Sequence, residues 1–238
     1  MVKSVKSTES TNSTKSAKRK MAAGFAALCL SAALGSQVFA ADAGFSDLSG
    51  VNGQDKILSL QEKGLLKGTG NAEFHPAASL TNAEAVQMIA NGLSVIASAQ
   101  AAEAAEKGVF INVVDTAWYA QAFLDASSKG LDIDNAVVPS EAMTREQYTA
   151  YLVQIVEKWA NLPMVNLVPK DIADDADLNP VYQGAVQRAL AWKITALDEN
   201  GKFNPKGSIT RAEAAVMLYN MIEFVNAHPF AAPAPAGE

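Results

Sequence analysis

Three copies of one residue pattern run along the 238-residue chain, and this internal repeat constrains the fold more than any other feature. Each copy has an apolar residue, a proline two positions later, a second apolar residue four positions after that, and then a threonine. The copies are Phe74, Pro76, Leu80 and Thr81; Val137, Pro139, Met143 and Thr144; and Phe203, Pro205, Ile209 and Thr210. The spacing is identical in all three, so the sequence predicts a fold built from three similar units.

Each repeated threonine begins a helix start signal. In such a capping box the Thr oxygen accepts a hydrogen bond from the backbone N–H three residues on, and the Glu or Gln at that position bonds back to the Thr N–H. Apolar residues with helical period follow each box, so each box predicts the start of a buried helix. The predicted pairs are Thr81 with Glu84, Thr144 with Gln147, and Thr210 with Glu213.

A second helical segment precedes each box. It contains Ile57 and Leu60, then Phe123 and Ala126, then Val186 and Ala189. It ends at Gly64, Gly130 and Lys193, and the two glycines favour helix termination in the left-handed region. Each unit is therefore a helix, a loop and a helix, and we expect an all-α fold. We expect unit 1 at 41–107, with its second helix continuing to about Lys107, unit 2 at 108–166 and unit 3 at 167–227.

The N-terminus predicts a secreted protein. Three basic residues, 18–20, precede an uncharged apolar run and the sequence Val38-Phe39-Ala40, as in a signal peptide cleaved after residue 40. The run is too short to favour a retained membrane helix. Cys29, the single cysteine, lies in this run after Leu28, so we expect no lipid anchor, disulfide or thiol chemistry. Residues 228–238 are an Ala/Pro-rich tail.

The charge excludes some classes of ligand. Without residues 1–40 the chain keeps 13 Lys/Arg and 24 Asp/Glu, a formal net charge of −11. A strongly acidic protein is a poor generic binder of nucleic acid or anionic membrane. An anionic ligand would therefore need a few well-placed cations.

These motifs together resemble the S-layer homology (SLH) domain family. Its units begin F-x-D-V, carry a Trp before the first helix, turn at G-I/V and reach an F-x-P-x-x-x-I-T-R-A-E box, and the third box here reads FNPKGSITRAE. The resemblance covers about residues 45–226. It implies a helical pseudo-threefold bundle with grooves between units. It also implies non-catalytic, non-covalent attachment to an anionic cell-wall polysaccharide, often a pyruvylated one, and either a bare wall-binding protein or an adaptor with a separate cargo or S-layer protein.

The resemblance also implies which residues bind the polysaccharide. Arg145 and Arg211 follow the capping Thr, where we expect free backbone N–H groups and the helix dipole to favour an anion, and a guanidinium can grip a carboxylate through two hydrogen bonds. Trp118 stands at the Trp position and offers a flat face to a sugar ring. The other implied binding residues are Asp47 and Asp171, at the F-x-D position, and the turn residues Gly64 and Gly130.

Each of these residues also has a purely structural interpretation. On that interpretation the arginines are only solvated or helix-pairing side chains, Trp118 packs within its unit, and Asp47 and Asp171 cap the first helices.

No unit carries the complete signature. Asn82 replaces the cation in the first box, Asn112 replaces the Asp of the second unit, and Pro180 and Lys193 replace the Trp and the turn glycine of the third. We therefore expect one or two competent grooves. The alternative hypothesis is a degenerate scaffold that acts through protein contacts or as a structural envelope component.

We expect no metal, cofactor or catalytic site. The acidic run at 171–177 fails the EF-hand register, because Pro180 stands where Gly is needed and Val186 where the bidentate Glu belongs. His75 and His228 have no metal-ligand spacing. Motifs of nucleophilic or phosphate-binding sites are absent, and no two carboxylates are singled out for glycoside cleavage.

Overall fold

The computed structural model describes residues 44–96, 110–162 and 168–229. The predicted signal peptide, the extension of the unit 1 helix to Lys107 and most of the Ala/Pro tail lie outside these ranges. The described part is mainly helical and contains no β-strand, so the predicted all-α class is confirmed. Its helices are α1 (Gln54–Glu62), α2 (Asn82–Ile96), α3 (Ala120–Ser128), α4 (Arg145–Trp159), α5 (Pro180–Ala191) and α6 (Arg211–Ala227), with a short 3-10 helix at Asp175–Asp177.

The three capping boxes are formed as predicted. Thr144 Oγ1 accepts from the backbone N–H of Gln147 while the Gln147 side chain accepts from the Thr144 N–H, and Thr210 and Glu213 repeat the arrangement. In unit 1 the Thr81 N–H donates to Glu84 Oε2 at 2.9 Å and the Glu84 N–H donates to Thr81 Oγ1 at 3.3 Å. These bonds fix the first residue of α2, α4 and α6.

The turns after α1 and α3 take the predicted left-handed conformation, and the turn after α5 shares it. Gly64 has φ 71°, Gly130 has φ 91°, and Lys193 keeps the same conformation at φ 59° although it carries a side chain. A polar side chain one helix later holds two of these turns, since Asn91 Nδ2 donates to the Leu65 carbonyl and Asn220 Nδ2 to the Ile194 carbonyl. The backbone geometry of the repeat therefore survives where its glycine is lost.

Helices pack between units rather than within them. Helices α2, α4 and α6 contact one another, and each also packs against the first helix of the next unit: α2 on α3, α4 on α5, and α6 on α1. Among the described helices, the two helices of one unit do not pack against each other. We name these contacts the 1/2 interface (α2 with unit 2), the 2/3 interface (α4 with unit 3) and the 3/1 interface (α6 with unit 1). The predicted pseudo-threefold axis stays a prediction.

The loops before the boxes join in a closed ring of backbone hydrogen bonds. The Leu80 N–H donates to the Ile209 carbonyl, the Ile209 N–H to the Met143 carbonyl, and the Met143 N–H to the Leu80 carbonyl, each at 3.0 Å. All three side chains are buried. One turn into the helices, Tyr148 is fully buried where the other units have Ala85 and Ala214, and its hydroxyl donates to the Ala214 carbonyl at 3.1 Å. One large and two small side chains therefore fill this part of the core.

Candidate functional site

The first backbone N–H groups of α4 and α6 are already occupied. The Arg145 N–H donates to the Gly207 carbonyl at 2.9 Å and the Arg211 N–H to the Ala78 carbonyl at 2.9 Å. The next N–H groups donate to Pro205 and Pro76, and the third donate to the capping threonines. The prediction that these helix starts present free N–H groups to an anion was wrong, because carbonyls of the neighbouring unit and the capping threonines accept from these donors. Any anion recognition there must come from side chains.

Arg211 lies at the 3/1 interface, against the loop of unit 1. Its guanidinium stands 4.8 Å from the centre of the Phe74 ring, its Nε donates to the Phe74 carbonyl at 2.8 Å and its Nη2 to the Lys67 carbonyl at 3.3 Å. Burial lowers the pKa of Arg211, while the nearby carboxylates of Glu84 and Asp47 favour its charged form. None of the ion pairs formed within the described residues includes Arg211.

Asp47 binds the backbone of the loop that contacts this arginine. Its Oδ1 accepts from the Phe74 N–H at 2.8 Å and its Oδ2 from the His75 N–H at 2.7 Å. Desolvation acts to raise the pKa of Asp47, but these backbone hydrogen bonds prevail and lower it below the ordinary value. The residue before α1 is Gly53, so Asp47 does not cap that helix. It orders the loop against which Arg211 packs.

A cleft of about 280 Å³ opens beside the same loop. It is lined by Phe45, Gln61, Leu66, Lys67, Gly68, Gly70 and Ala72. Gly68 lines it at a position where a side chain does not fit, because a Cβ there would lie 2.8 Å from the Glu73 carbonyl oxygen and 3.0 Å from Phe45 Cε1. Lys67 connects the cleft to Arg211, since its backbone carbonyl accepts a hydrogen bond from the guanidinium. Gly64 lies in the turn just upstream, so the 3/1 interface brings together Arg211, Asp47 and the Gly64 turn.

Arg145 occupies the equivalent place at the 2/3 interface with different partners. Its Nη1 lies 2.6 Å from Glu213 Oε1, and its Nη2 donates to Thr195 Oγ1 at 3.1 Å and to the Ala196 carbonyl at 3.3 Å. The guanidinium stands 5.2 Å from the centre of the Phe203 ring. The side chain is only 15% exposed. Arg145 is thus an interface ion-pair residue in this structure.

The carboxylate of unit 3 that corresponds to Asp47 is Asp174, so the placement of Asp171 at the F-x-D position was wrong. Asp174 accepts from the Phe203 N–H and the Asn204 N–H, each at 2.8 Å, as Asp47 does from the matching residues of unit 1. As at Asp47, these bonds prevail over desolvation and lower the pKa of Asp174. Asp171 lies three residues upstream and is exposed.

The backbone sets this register independently. The Ser46 N–H donates to the Ala72 carbonyl at 2.8 Å and the Ala173 N–H to the Gly201 carbonyl at 2.9 Å, one residue before each carboxylate. Asp171 does not cap α5 either, because Asn179 Oδ1 accepts from the Val181 N–H at the start of that helix. The spacing to the box does not identify this carboxylate, because 27 residues separate Asp47 from Phe74 and 29 separate Asp174 from Phe203. The remaining signal is Ile172, which stands two residues before Asp174 in the place of the family's Phe.

Trp118 lies in unit 2. The helix that packs on this unit, α2, has no arginine at its first position. It is 65% exposed and meets only the edge of Tyr119 among the aromatic rings described, with ring centres 5.3 Å apart. Its unit packs on α2, which begins at Asn82, and Asn82 Nδ2 donates to the Val138 carbonyl at 2.9 Å. The turn residue Gly130 belongs to the same unit. Trp118 and Gly130 therefore belong to a unit whose packing partner, α2, begins with Asn82 instead of an arginine.

Within the described residues, no group of three or more His, Cys, Asp or Glu side chains is placed to hold a metal ion. In the same ranges, every helix is too short or too polar to cross a bilayer.

Comparison with known proteins gives one family and several relatives. The family model described as the S-layer homology domain matches residues 175–215. An amylopullulanase of Thermoanaerobacterium thermosulfurigenes is 28% identical over 78% of this chain and 10% of its own length. Exoglucanase XynX of Acetivibrio thermocellus is 28% identical over 76% of this chain and 16% of its own length. The surface-layer 125 kDa protein of Lysinibacillus sphaericus is 27% identical over 86% of this chain and 17% of its own length.

The chain thus spans less than a fifth of these relatives, and the two enzymes match it over only a small part of their length. S-layer homology domains are non-catalytic cell-wall anchoring modules of S-layer and other surface proteins. The matched range includes the α5 segment, the box at Thr210 and the start of α6. Residues 175–215 therefore match the S-layer homology domain, the family that the sequence motifs resemble.

Proposed function

We propose that this chain is a secreted, non-catalytic module that binds an anionic secondary cell-wall polysaccharide at the 3/1 interface. The observation that carries the proposal is the setting of Arg211. Its guanidinium is held in place by two backbone carbonyls and the Phe74 ring, and no carboxylate of the described residues is paired with it. Its Nη1 makes no hydrogen bond within the same residues, so it can bond to a ligand carboxylate.

The charge of the molecule makes a localised cation necessary. At a formal net charge of −11 for residues 41–238, the general field of the protein repels an anionic polymer. A guanidinium that is partly desolvated interacts more strongly with an anion than one in bulk water. Arg211, with Lys67 in the adjoining loop, supplies that local attraction.

The cleft beside Arg211 supports a sugar ligand. Its volume of about 280 Å³ suits one sugar ring, and its lining combines the Phe45 ring with the Gln61 amide and backbone groups of glycine residues. A sugar that carries a carboxylate, such as a pyruvylated one, would place its charge at Arg211 and its ring toward the cleft. A cargo or S-layer protein would be a separate partner of the same surface assembly.

Co-sedimentation with purified cell-wall sacculi tests the proposal. The protein should bind intact sacculi and lose binding once their non-peptidoglycan polysaccharide has been stripped chemically. Arg211→Gln keeps a polar side chain of similar length and removes the charge, so it should lose most of the binding. Lys170→Gln removes one charge at an exposed position outside the 3/1 interface and should bind like the parent. Equal binding by all three proteins would show that Arg211 is not the site.

One observation favours a second candidate, a protein-interaction role for unit 2. Three large apolar side chains close together in the sequence are exposed there: Ile111 at 74%, Val114 at 60% and Trp118 at 65%. They belong to unit 2, which packs on α2, and that helix begins at Asn82 rather than at an arginine. If Trp118→Ser left sacculus binding intact and abolished an association with a purified S-layer protein, unit 2 would be the protein-binding element.

A further inference from the structure

Arg145 and Arg211 occupy the same position of the repeat, yet only Arg145 has a carboxylate in direct contact. The capping-box residue of the next unit supplies it: Glu213 Oε1 lies 2.6 Å from Arg145 Nη1, while Glu213 Oε2 accepts from the N–H and hydroxyl of Thr210. The corresponding residue for Arg211 is Glu84, which acts on it at longer range. The two interfaces therefore differ in whether the guanidinium is already neutralised.

We propose that Glu213 is an internal occupant of the 2/3 interface, which closes it to external anions and leaves the 3/1 interface as the anion-competent one. The functional consequence of this inference rests on the proposed function, since the inference names the groove that takes the polysaccharide. An anion that approached Arg145 would have to displace a carboxylate from a short, charge-assisted hydrogen bond on a side chain that is 15% exposed. Thr195 Oγ1 and the Ala196 carbonyl accept from its Nη2, and its Nε is buried.

The chain itself shows how to remove this carboxylate without disturbing the helix. Gln147 holds the same capping position in unit 2, where its Oε1 accepts from the Thr144 N–H at 3.0 Å and from Thr144 Oγ1 at 2.9 Å. Gln147 belongs to the unit that faces Asn82, so that interface has neither the cation nor the carboxylate. Glu213→Gln should therefore retain the capping box and leave Arg145 charged and unpaired.

Arginine labelling tests the proposal without knowledge of the natural ligand. The protein is treated with phenylglyoxal, which modifies accessible guanidinium groups, and the modification rates of Arg145 and Arg211 are followed by peptide mass spectrometry. In the parent, Arg145 should react about tenfold or more slowly than Arg211, and Glu213→Gln should raise its rate about tenfold. Sodium glucuronate, a sugar carboxylate, should protect Arg145 in this variant only. Glu84→Gln is the matched control and should leave the rate of Arg145 unchanged.

Circular dichroism melting checks that each variant is folded. Glu213→Ser, which shortens the side chain and removes its carboxylate, serves as a second variant. If Arg145 reacts as fast as Arg211 in the parent, or stays slow in both folded Glu213 variants, the proposal is wrong. The proposed function is judged separately by sacculus binding. If Arg211→Gln loses binding and the added Glu213→Gln change partly restores it, both the proposed function and the role of Glu213 are supported. If the parent does not bind sacculi, the proposed function is rejected, and the labelling result alone decides whether Glu213 shields Arg145.

Discussion

Replacement of Tyr148 by alanine tests the account of the core most directly. Tyr148 is fully buried, and the matching positions of units 1 and 3 are Ala85 and Ala214, both fully buried as well. In Tyr148→Ala all three positions are alanine, so no side chain fills the space left between α2, α4 and α6. Removal of a buried aromatic ring typically costs about 3–5 kcal/mol, because transfer free energy is lost and a cavity remains.

The expected loss in the free energy of unfolding is about 4 kcal/mol for Tyr148→Ala. Tyr148→Phe removes only the hydrogen bond to the Ala214 carbonyl and should cost about 1 kcal/mol. Urea unfolding followed by circular dichroism at neutral pH measures both values. In a thermal melt the alanine variant should unfold roughly 8–16 °C below the parent.

Two results would refute this reasoning. A loss of less than about 1.5 kcal/mol in Tyr148→Ala would mean that the surrounding helices collapse into the space, or that the ring is not central to the core. A loss in Tyr148→Phe as large as in Tyr148→Ala would mean that the hydroxyl, and not the packing of the ring, supplies the stability.

The other predictions concern the backbone of the repeat. Lys193→Gly should stabilise the protein by about 0.5–1 kcal/mol in urea unfolding, because it relieves a left-handed conformation. Gly64→Ala should cost about 1 kcal/mol from backbone strain alone, since a Cβ there meets nothing within 4 Å; no effect of either change would contradict the strain argument. Asp47 and Asp174 have pKa values lowered in the folded state, so their stabilising effect is present above the ordinary value of 3.8 and is lost as the pH falls through the folded-state values. The loss of stability between pH 7 and pH 3 should be smaller in Asp47→Asn and Asp174→Asn than in the parent, and equal losses would be inconsistent with these bonds.

The sequence predicted the elements that local chemistry determines. The capping boxes are formed as predicted, and so are the left-handed turns at Gly64 and Gly130, because both depend on residues within a few positions of each other. Ile57 and Phe123, two apolar residues that marked the first helices, are buried.

The errors concern partners that are distant in sequence. The free N–H groups expected at Arg145 and Arg211 are taken by carbonyls of another unit, which no helical pattern reveals. The sequence pattern placed Asp171 at the F-x-D position, whereas the structure places Asp174 there, because the register of a loop depends on which backbone groups it meets. The two arginines share one motif, and only the arrangement of the units shows that Glu213 pairs with Arg145 while Arg211 has no such partner.

The closed ring of backbone bonds among Leu80, Met143 and Ile209 fixes the number of repeats. In an open array each unit contacts only its neighbours, so copies can be added at either end and the terminal units need protective caps. Here every unit both donates to one neighbour and accepts from the other, and the last unit returns to the first. A fourth copy cannot join without opening the ring, and a chain that stops after two copies lacks two of its three interfaces. Recombination that lengthens other repeat proteins would therefore destroy this one.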